Sequence, residues 1–243
     1  MAHLLITGHS RGLGAALTRQ LLDQGHCVLG ISRHPIRGLR PSQSSVIKEC
    51  CVDLGQHSSI TELLDSNTLE DFFCNAEQAI LINNAGLLGP IGRAGQINGA
   101  DITQSIAVNV AAPLALTNRF LAITGRCKDR RIAHLSSGAA RTPYPGWNIY
   151  CASKAALDHH ARCISLEGPE YCRIESIAPG VIDTQMQAEI RACSLEQFPM
   201  RQKFDQLKES GSLAPSESVA RKLIQHLFSQ SFGMSPCTDL REI

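Results

Sequence analysis

Short apolar runs alternate with segments of helical period along most of this chain, and that alternation limits the fold more than any other feature. His3-Leu-Leu-Ile-Thr7, Cys27-Val-Leu-Gly-Ile-Ser32, Val46-Ile-Lys-Glu-Cys-Cys-Val52, Ala79-Ile-Leu-Ile82 and Arg131-Ile-Ala-His-Leu-Ser136 each read as a buried strand. Cys172-Arg-Ile-Glu-Ser-Ile-Ala178 is a sixth candidate, interrupted by alternating polar residues. Helical patterns lie between them: Leu13, Leu17 and Leu21 on one face, then residues 58 to 75, 101 to 124, 150 to 167, and 216 to 228 with Val219, Leu223 and Leu227. Strands separated by helices pair in parallel, because the crossover returns the chain to the same end of the sheet. An α/β fold with helices on both faces of a parallel sheet is expected.

At 243 residues, 43% of them apolar, the chain can bury a full core, and no linker forces a split, so residues 1 to 243 are expected to form a single domain. Twenty-three basic residues stand against 22 acidic ones, with no basic run interleaved with aromatics, which argues against nucleic acid as a partner. No basic n-region precedes an apolar stretch at the amino terminus, and no later run reaches bilayer length. The expectation is a cytoplasmic protein without a membrane partner. Ten scattered cysteines without a C-x-x-C pair are read as reduced, mostly buried, small apolar residues. His159 and His160 point to different faces of a helix and make a poor metal site, so no metal is expected.

The first strand runs into Thr7-Gly8-His-Ser-Arg11-Gly12-Leu-Gly14 and then a helix. Glycines there let backbone approach a ligand, and the helix amino terminus offers N–H groups to a pyrophosphate; a tight βα turn with no ligand uses the same residues. The second strand ends in Ser32-Arg33, without the acid that accepts a ribose 2′-hydroxyl in NAD-preferring sites. Arg33, with Arg11 in the glycine loop, would instead pair a 2′-phosphate, which favours NADP(H) over two solvated arginines. Asp53 closes the third strand, either accepting from an adenine amino group or capping a helix. Asn83-Asn84-Ala85-Gly86 leaves the fourth strand, where parallel sheets bind ligands.

Ser137 follows the fifth strand, and Tyr150 and Lys154 stand one helical turn apart on a shared face. At roughly 4 Å and an effective dielectric of about 20, the lysine would favour the phenolate by about 4 kcal/mol and lower the phenol's pKa by up to about 3 units. A buried Asn109 in mid-helix needs partners: backbone groups, or a water that connects Lys154 to solvent. Pro179-Gly180-Val-Ile182-Asp-Thr184 leaves the sixth strand, so that Thr184 reaches toward a nicotinamide amide. Residues 185 to 213 are polar and weakly periodic, and their length and position suggest a substrate lid. The remaining tail, Ser235-Pro-Cys-Thr-Asp239-Leu, is short.

In that order, Thr7-Gly8 through Gly14, Asp53, Asn83-Asn84-Ala85-Gly86, Asn109, Ser137, Tyr150 with Lys154, and Pro179-Gly180 with Thr184 resemble the short-chain dehydrogenase/reductase family over nearly the whole chain. The resemblance implies a Rossmann-type doubly wound parallel sheet, a nicotinamide cofactor and a catalytic tetrad of Asn109, Ser137, Tyr150 and Lys154. The cofactor residues expected with it are Thr7, Gly8, Ser10, Arg11, Gly12, Leu13, Gly14, Ser32, Arg33, Asp53, Leu54, Asn84, Ala85, Gly86, Tyr150, Lys154, Pro179, Gly180, Ile182 and Thr184. Gly146-Trp147-Asn-Ile-Tyr150, the segment Ala178 to Gln187 and Asp239 look like the sepiapterin and benzil reductase branch. Ser137, Trp147, Tyr150, Met186 and Asp239 would then contact substrate, Asp239 by holding an aminopyrimidinone edge or else as a solvated tail residue. The activity this resemblance implies is an NADPH-dependent reduction of a ketone or vicinal dicarbonyl; the alternatives are an NAD(P)-linked alcohol dehydrogenase working oxidatively or a non-catalytic nicotinamide-binding regulator. Family members often pair through the helices at 101 to 124 and 150 to 167, so a homodimer or homotetramer is expected.

Overall fold

A computed structural model describes residues 1–40 and 47–243. The polar connection expected over residues 35 to 45 lies partly outside that range, as does Val46 at the head of the third strand. Seven parallel strands form one sheet: β1 (His3–Thr7), β2 (Cys27–Ser32), β3 (Ile47–Cys51), β4 (Gln78–Asn83), β5 (Asp129–Leu135), β6 (Cys172–Ala178) and β7 (Cys237–Asp239). Their spatial order is β3-β2-β1-β4-β5-β6-β7, the Rossmann order, which reverses between β1 and β4. Helices α1 (Gly12–Asp23) and α9 (Ser216–Phe228) belong to one face, where Leu4, Ile6, Ile80 and Ile82 meet Leu17, Leu21, Leu223 and Leu227. On the other face Leu5, Leu29 and Leu81 meet α2 (His57–Asp65), α3 (Thr68–Phe73), α5 (Ala112–Ile123) and α6 (Asn148–Glu167) through Leu63, Phe72, Phe73, Leu116, Phe120 and Ala161. Successive residues of β1 thus serve opposite faces, which is why the strand reads as a continuous apolar run.

Three differences from the sequence reading have local causes. The tail supplies β7, which pairs with β6 through Ser176↔Cys237, Ile177↔Thr238 and Ala178↔Asp239. Three residues carry too little pattern to announce a strand; an open neighbouring edge makes one. The polar residues of β6 are buried with partners: Glu175 accepts from Gly233 N at 2.8 Å, from Thr238 Oγ1 and faces His226 Nε2 at 3.0 Å, while Ser176 Oγ donates to Asp158 at 2.7 Å. Cys127 alone among the ten free cysteines is buried; the others are half-buried or exposed, because they sit on the edge strand β3, at strand starts, on outer helix faces and just past helix ends.

The helix expected over residues 101 to 124 runs from Gly99 to Ile123, 25 residues in all, through α4 (Gly99–Ile106), a π turn (Ala107–Ala111) and α5. By length and composition it could cross a bilayer, contrary to the expectation that no segment reaches that length, yet it packs Ala112, Leu116 and Phe120 onto the sheet. The expected lid folds as α7 (Gln185–Ala192) and α8 (Arg201–Glu209). Its only two aromatics, Phe198 and Phe204, are buried against Trp147.

Candidate functional site

A cleft of about 660 Å³ opens at the carboxyl ends of the strands, where the sheet order reverses. Its first wall is the turn from β1 into α1. Gly8 has φ +67°, and a Cβ on Gly14 would lie 2.1 Å from Gly8 O, so the turn closes only on glycine. Arg11 precedes α1 in extended conformation, and no side chain caps the helix, so its first N–H groups face the cleft. Thr7 braces the turn from behind: its hydroxyl accepts from Asn84 N and Ala85 N, both at 3.0 Å, while Asn84 Nδ2 donates to Thr7 O and Gly8 O. Gly12 comes close to the loop after β6, where its Cβ would stand 3.5 Å from Thr184 Cγ2.

Arg33 and Arg11 both line the cleft and are exposed. Among the described residues neither has a carboxylate partner. His9, buried behind the glycine turn, holds Glu49 Oε1 at 2.6 Å, and the same oxygen accepts from Ile36 N at 2.7 Å; this joins the glycine turn to the chain just after Arg33. Asp53 lines the cleft with Oδ1 accepting from Gly55 N at 2.9 Å, a turn of its own making, and its second oxygen has no partner among the described residues. The uncapped helix, the Cβ-free turn and the two unpaired arginines fit a nicotinamide dinucleotide.

The opposite wall carries the acid–base groups. Ser137 Oγ accepts from Ala139 N at 3.2 Å in the short turn after β5, and stands near enough to Tyr150 to pull its pKa down. Burial pushes the Tyr150 phenol up to about 12, against the lowering influence of Ser137. The expectation that Lys154 lowers this phenol is not met: its ammonium lies 5.7 Å from the ring centroid and donates instead to Leu135 O at 2.8 Å, so burial wins. The lysine itself is pushed down to about 8 by burial, with Asp158 one turn on pulling the other way. Asp158 is a buried hub, accepting from Ser136 Oγ at 2.6 Å, Ser176 Oγ at 2.7 Å and Arg141 Nε at 3.1 Å.

Asn109 sits in the π turn, fully buried, and clamps one residue: Oδ1 accepts from Leu87 N at 2.8 Å and Nδ2 donates to Leu87 O at 2.8 Å. Nδ2 also donates to Ser153 Oγ at 3.3 Å, so the amide is tied to Leu87 and to the helix that carries Tyr150. A Cβ on Gly86 would lie 3.4 Å from Lys154 Nζ and 3.6 Å from Asn109 Oδ1, so this glycine keeps the two side chains close.

Of the residues expected at the site, all line this cleft except Thr7, Asn109 and Asp239. The first two support it from behind. Asp239 is buried away from it, its carboxylate taken by Arg241: Oδ1 accepts from Nε at 2.9 Å and Oδ2 from Nη2 at 2.6 Å. These bonds hold the carboxyl below the usual carboxylate range, and Arg241 reaches the cleft in its place. Sequence reasoning also missed Tyr144, Lys203 and Phe204, which line the same end. Two aromatics in an otherwise polar stretch, and a tyrosine three residues before Trp147, were the available signals. Trp147 stacks on Phe198 at 4.4 Å and stands edge-on to Tyr150 at 5.7 Å, so the cleft has an aromatic wall beside the phenol.

The family model for short chain dehydrogenases matches residues 2–194. A benzil reductase ((S)-benzoin forming) from Bacillus cereus is 34% identical over 245 residues, covering 96% of each chain. A sepiapterin reductase from Rattus norvegicus is 32% identical over 257 residues, covering 98% of this chain and 96% of its own. Among solved structures, a short-chain dehydrogenase/reductase from Burkholderia vietnamiensis is 36% identical with a TM-score of 0.72, over 100% of this chain and 98% of that one.

Proposed function

The chain belongs to the short-chain dehydrogenase family, and from that premise we propose that it is an NADPH-dependent carbonyl reductase acting on ketones or vicinal dicarbonyls. One observation carries the reading: a buried phenol, Tyr150, whose pKa burial raises, lining the same cleft wall as Ser137, with a buried ammonium 5.7 Å from its ring. The relatives named for reducing benzil and sepiapterin support the substrate class. When bound between the glycine turn and Thr184, the nicotinamide would supply a hydride to the carbonyl carbon and be left oxidised. Ser137 Oγ holds the carbonyl oxygen, and Tyr150 gives it a proton, so that hydride and proton together complete the alcohol. Lys154, charged below about pH 8, offsets the phenolate that this leaves.

Arg33 and Arg11 would hold the 2′-phosphate, which is the ground for NADPH. Asp53 offers its second oxygen to the adenine amino group. The test is kcat/KM for NADPH and NADH with benzil, diacetyl and sepiapterin as carbonyl substrates. Arg33→Ala should lower the NADPH/NADH ratio by about tenfold to a hundredfold, the worth of one charge-assisted contact. An unchanged ratio discards the 2′-phosphate role, and NADPH binding without oxidation of any substrate discards the reductase. We also take the chain to self-associate, since α6 leaves Leu166 89% exposed and the long helix leaves Ile106 36% exposed. Light scattering should report at least twice the 26.3 kDa chain mass; a monomer at micromolar concentration would end that proposal.

A further inference from the structure

We infer that the substrate end of the cleft takes an aryl 2-oxo carboxylate, with Arg241 and Lys203 holding the carboxylate while Tyr150 protonates the neighbouring ketone oxygen. This rests on the carbonyl-reductase reading and narrows its substrate. The Asp239 carboxylate, the tail acid that could accept from a donor-rich edge such as an aminopyrimidinone, has both oxygens occupied by Arg241 Nε, Nη2 and backbone N. That pairing orients the guanidinium fork and leaves Nη1, with two N–H groups, without an acceptor among the described residues. The Arg241 stem lies over the loop after β6, where a Cβ on Gly180 would meet its Cδ at 3.3 Å.

Lys203 on α8 is the second cation. Its Nζ stands 5.6 Å from the Tyr144 ring centroid, and it has no carboxylate partner among the described residues. Tyr144 is 5.3 Å from Trp147, which is 5.7 Å from Tyr150, so cation and acid bracket an aromatic wall of inclined rings. Trp147 adds a buried Nε1–H that no group among the described residues accepts. Against these donors stand the exposed carboxylate of Glu189 and Gln187 Oε1, which has no partner among the described residues, both on α7. With Asp239 counted against its partner Arg241, the charges at this end are two cations to two carboxylates, and the donors left over among the described residues are Arg241 Nη1, Lys203 Nζ and Trp147 Nε1. A substrate with an acceptor-rich, anionic group beside its ketone and an aryl ring for the wall satisfies these groups; one that presents N–H donors must first break the Asp239–Arg241 pair.

Steady-state reduction of phenylglyoxylate, its uncharged methyl ester and benzil by NADPH tests this, with NADPH Kd measured on each variant as the control for folding. The full-length enzyme should prefer the acid to the ester by about tenfold or more in kcat/KM, chiefly through KM. Arg241→Ala should reduce that acid/ester ratio by about tenfold to a hundredfold, Arg241→Lys should restore part of it, and Lys203→Ala should reduce it less. Equal rates on acid and ester, or an acid/ester ratio that Arg241→Ala leaves in place, would overturn the inference while leaving the reductase reading intact. Failure to reduce benzil and the ester as well would instead overturn that reading.

Discussion

At the scale of the residue, Tyr150 and Lys154 have exchanged the parts that spacing assigned to them. The phenol is raised, not lowered, and the lysine is the group that titrates near neutrality. A raised phenol suits reduction, where the proton must be present to be given. Tyr150→Phe should cut kcat by about a hundredfold to ten-thousandfold while leaving NADPH Kd within a fewfold, because the ring and its packing on Trp147 remain. For pH, the sign is set by Lys154: it is charged below about 8 and neutral above, so reduction should fall along a basic limb near pH 8. A profile flat from about pH 6 to 10 would separate Lys154 from the proton step. Spacing could place these two residues on one face, but it could not show Leu135 O, the acceptor that draws the ammonium from the phenol.

Elements were legible where one period ruled. The apolar runs of β1, β2 and β4 and the stripe of α1 come directly from the residues, and Gly25, at φ +80°, stops α1 where the pattern ends. The turn between β1 and α1 was legible as glycine-rich, but not how little room it has. A methyl on Gly14 meets Gly8 O at 2.1 Å, whereas one on Gly99, at the start of α4, meets nothing within 4 Å. Gly14→Ala should therefore cost about 1–3 kcal/mol or more and weaken NADPH binding, while Gly99→Ala should be neutral or stabilise by about 0.4–1 kcal/mol. Urea midpoints of the two variants check this; equal midpoints would mean that the turn adapts. Residues 185 to 213 were illegible as helices because α7 and α8 are held by Phe198 and Phe204 against Trp147, a tertiary contact that no local period encodes.

For the whole molecule, the alternation of strand and helix sufficed for a parallel sheet with two covered faces. Where the sheet ends was not readable, because β7 exists only through partners distant in sequence. Thr238 Oγ1 donates to Glu175, fully buried on β6, and Arg141 Nη2 donates to Thr238 O at 3.2 Å while its Nε serves Asp158. The last strand thus shares a network with the helix that carries Tyr150 and Lys154. Thr238→Val removes a donor from a buried carboxylate and should cost about 1–3 kcal/mol, read as a lower urea midpoint with an unchanged slope. No loss would mean that His226 and Gly233 N already satisfy Glu175.

The π turn at Ala107–Ala111 has a consequence for how chains of this kind can change length. It houses one residue more than an α-helical turn, so a single-codon deletion there would heal into ordinary helix instead of breaking it. The healed helix would leave α4 and α5 nearly in register, because the extra residue is absorbed within the π turn, so the change would fall on Ala107–Ala111 itself. Leu87 would lose its two-bonded clamp as Asn109 rotated off it, and Gly86 would lose the neighbour it shares with Lys154. A length change that the helix itself tolerates is therefore one that the cleft does not, and drift in gene length is barred at this turn by the site beside it.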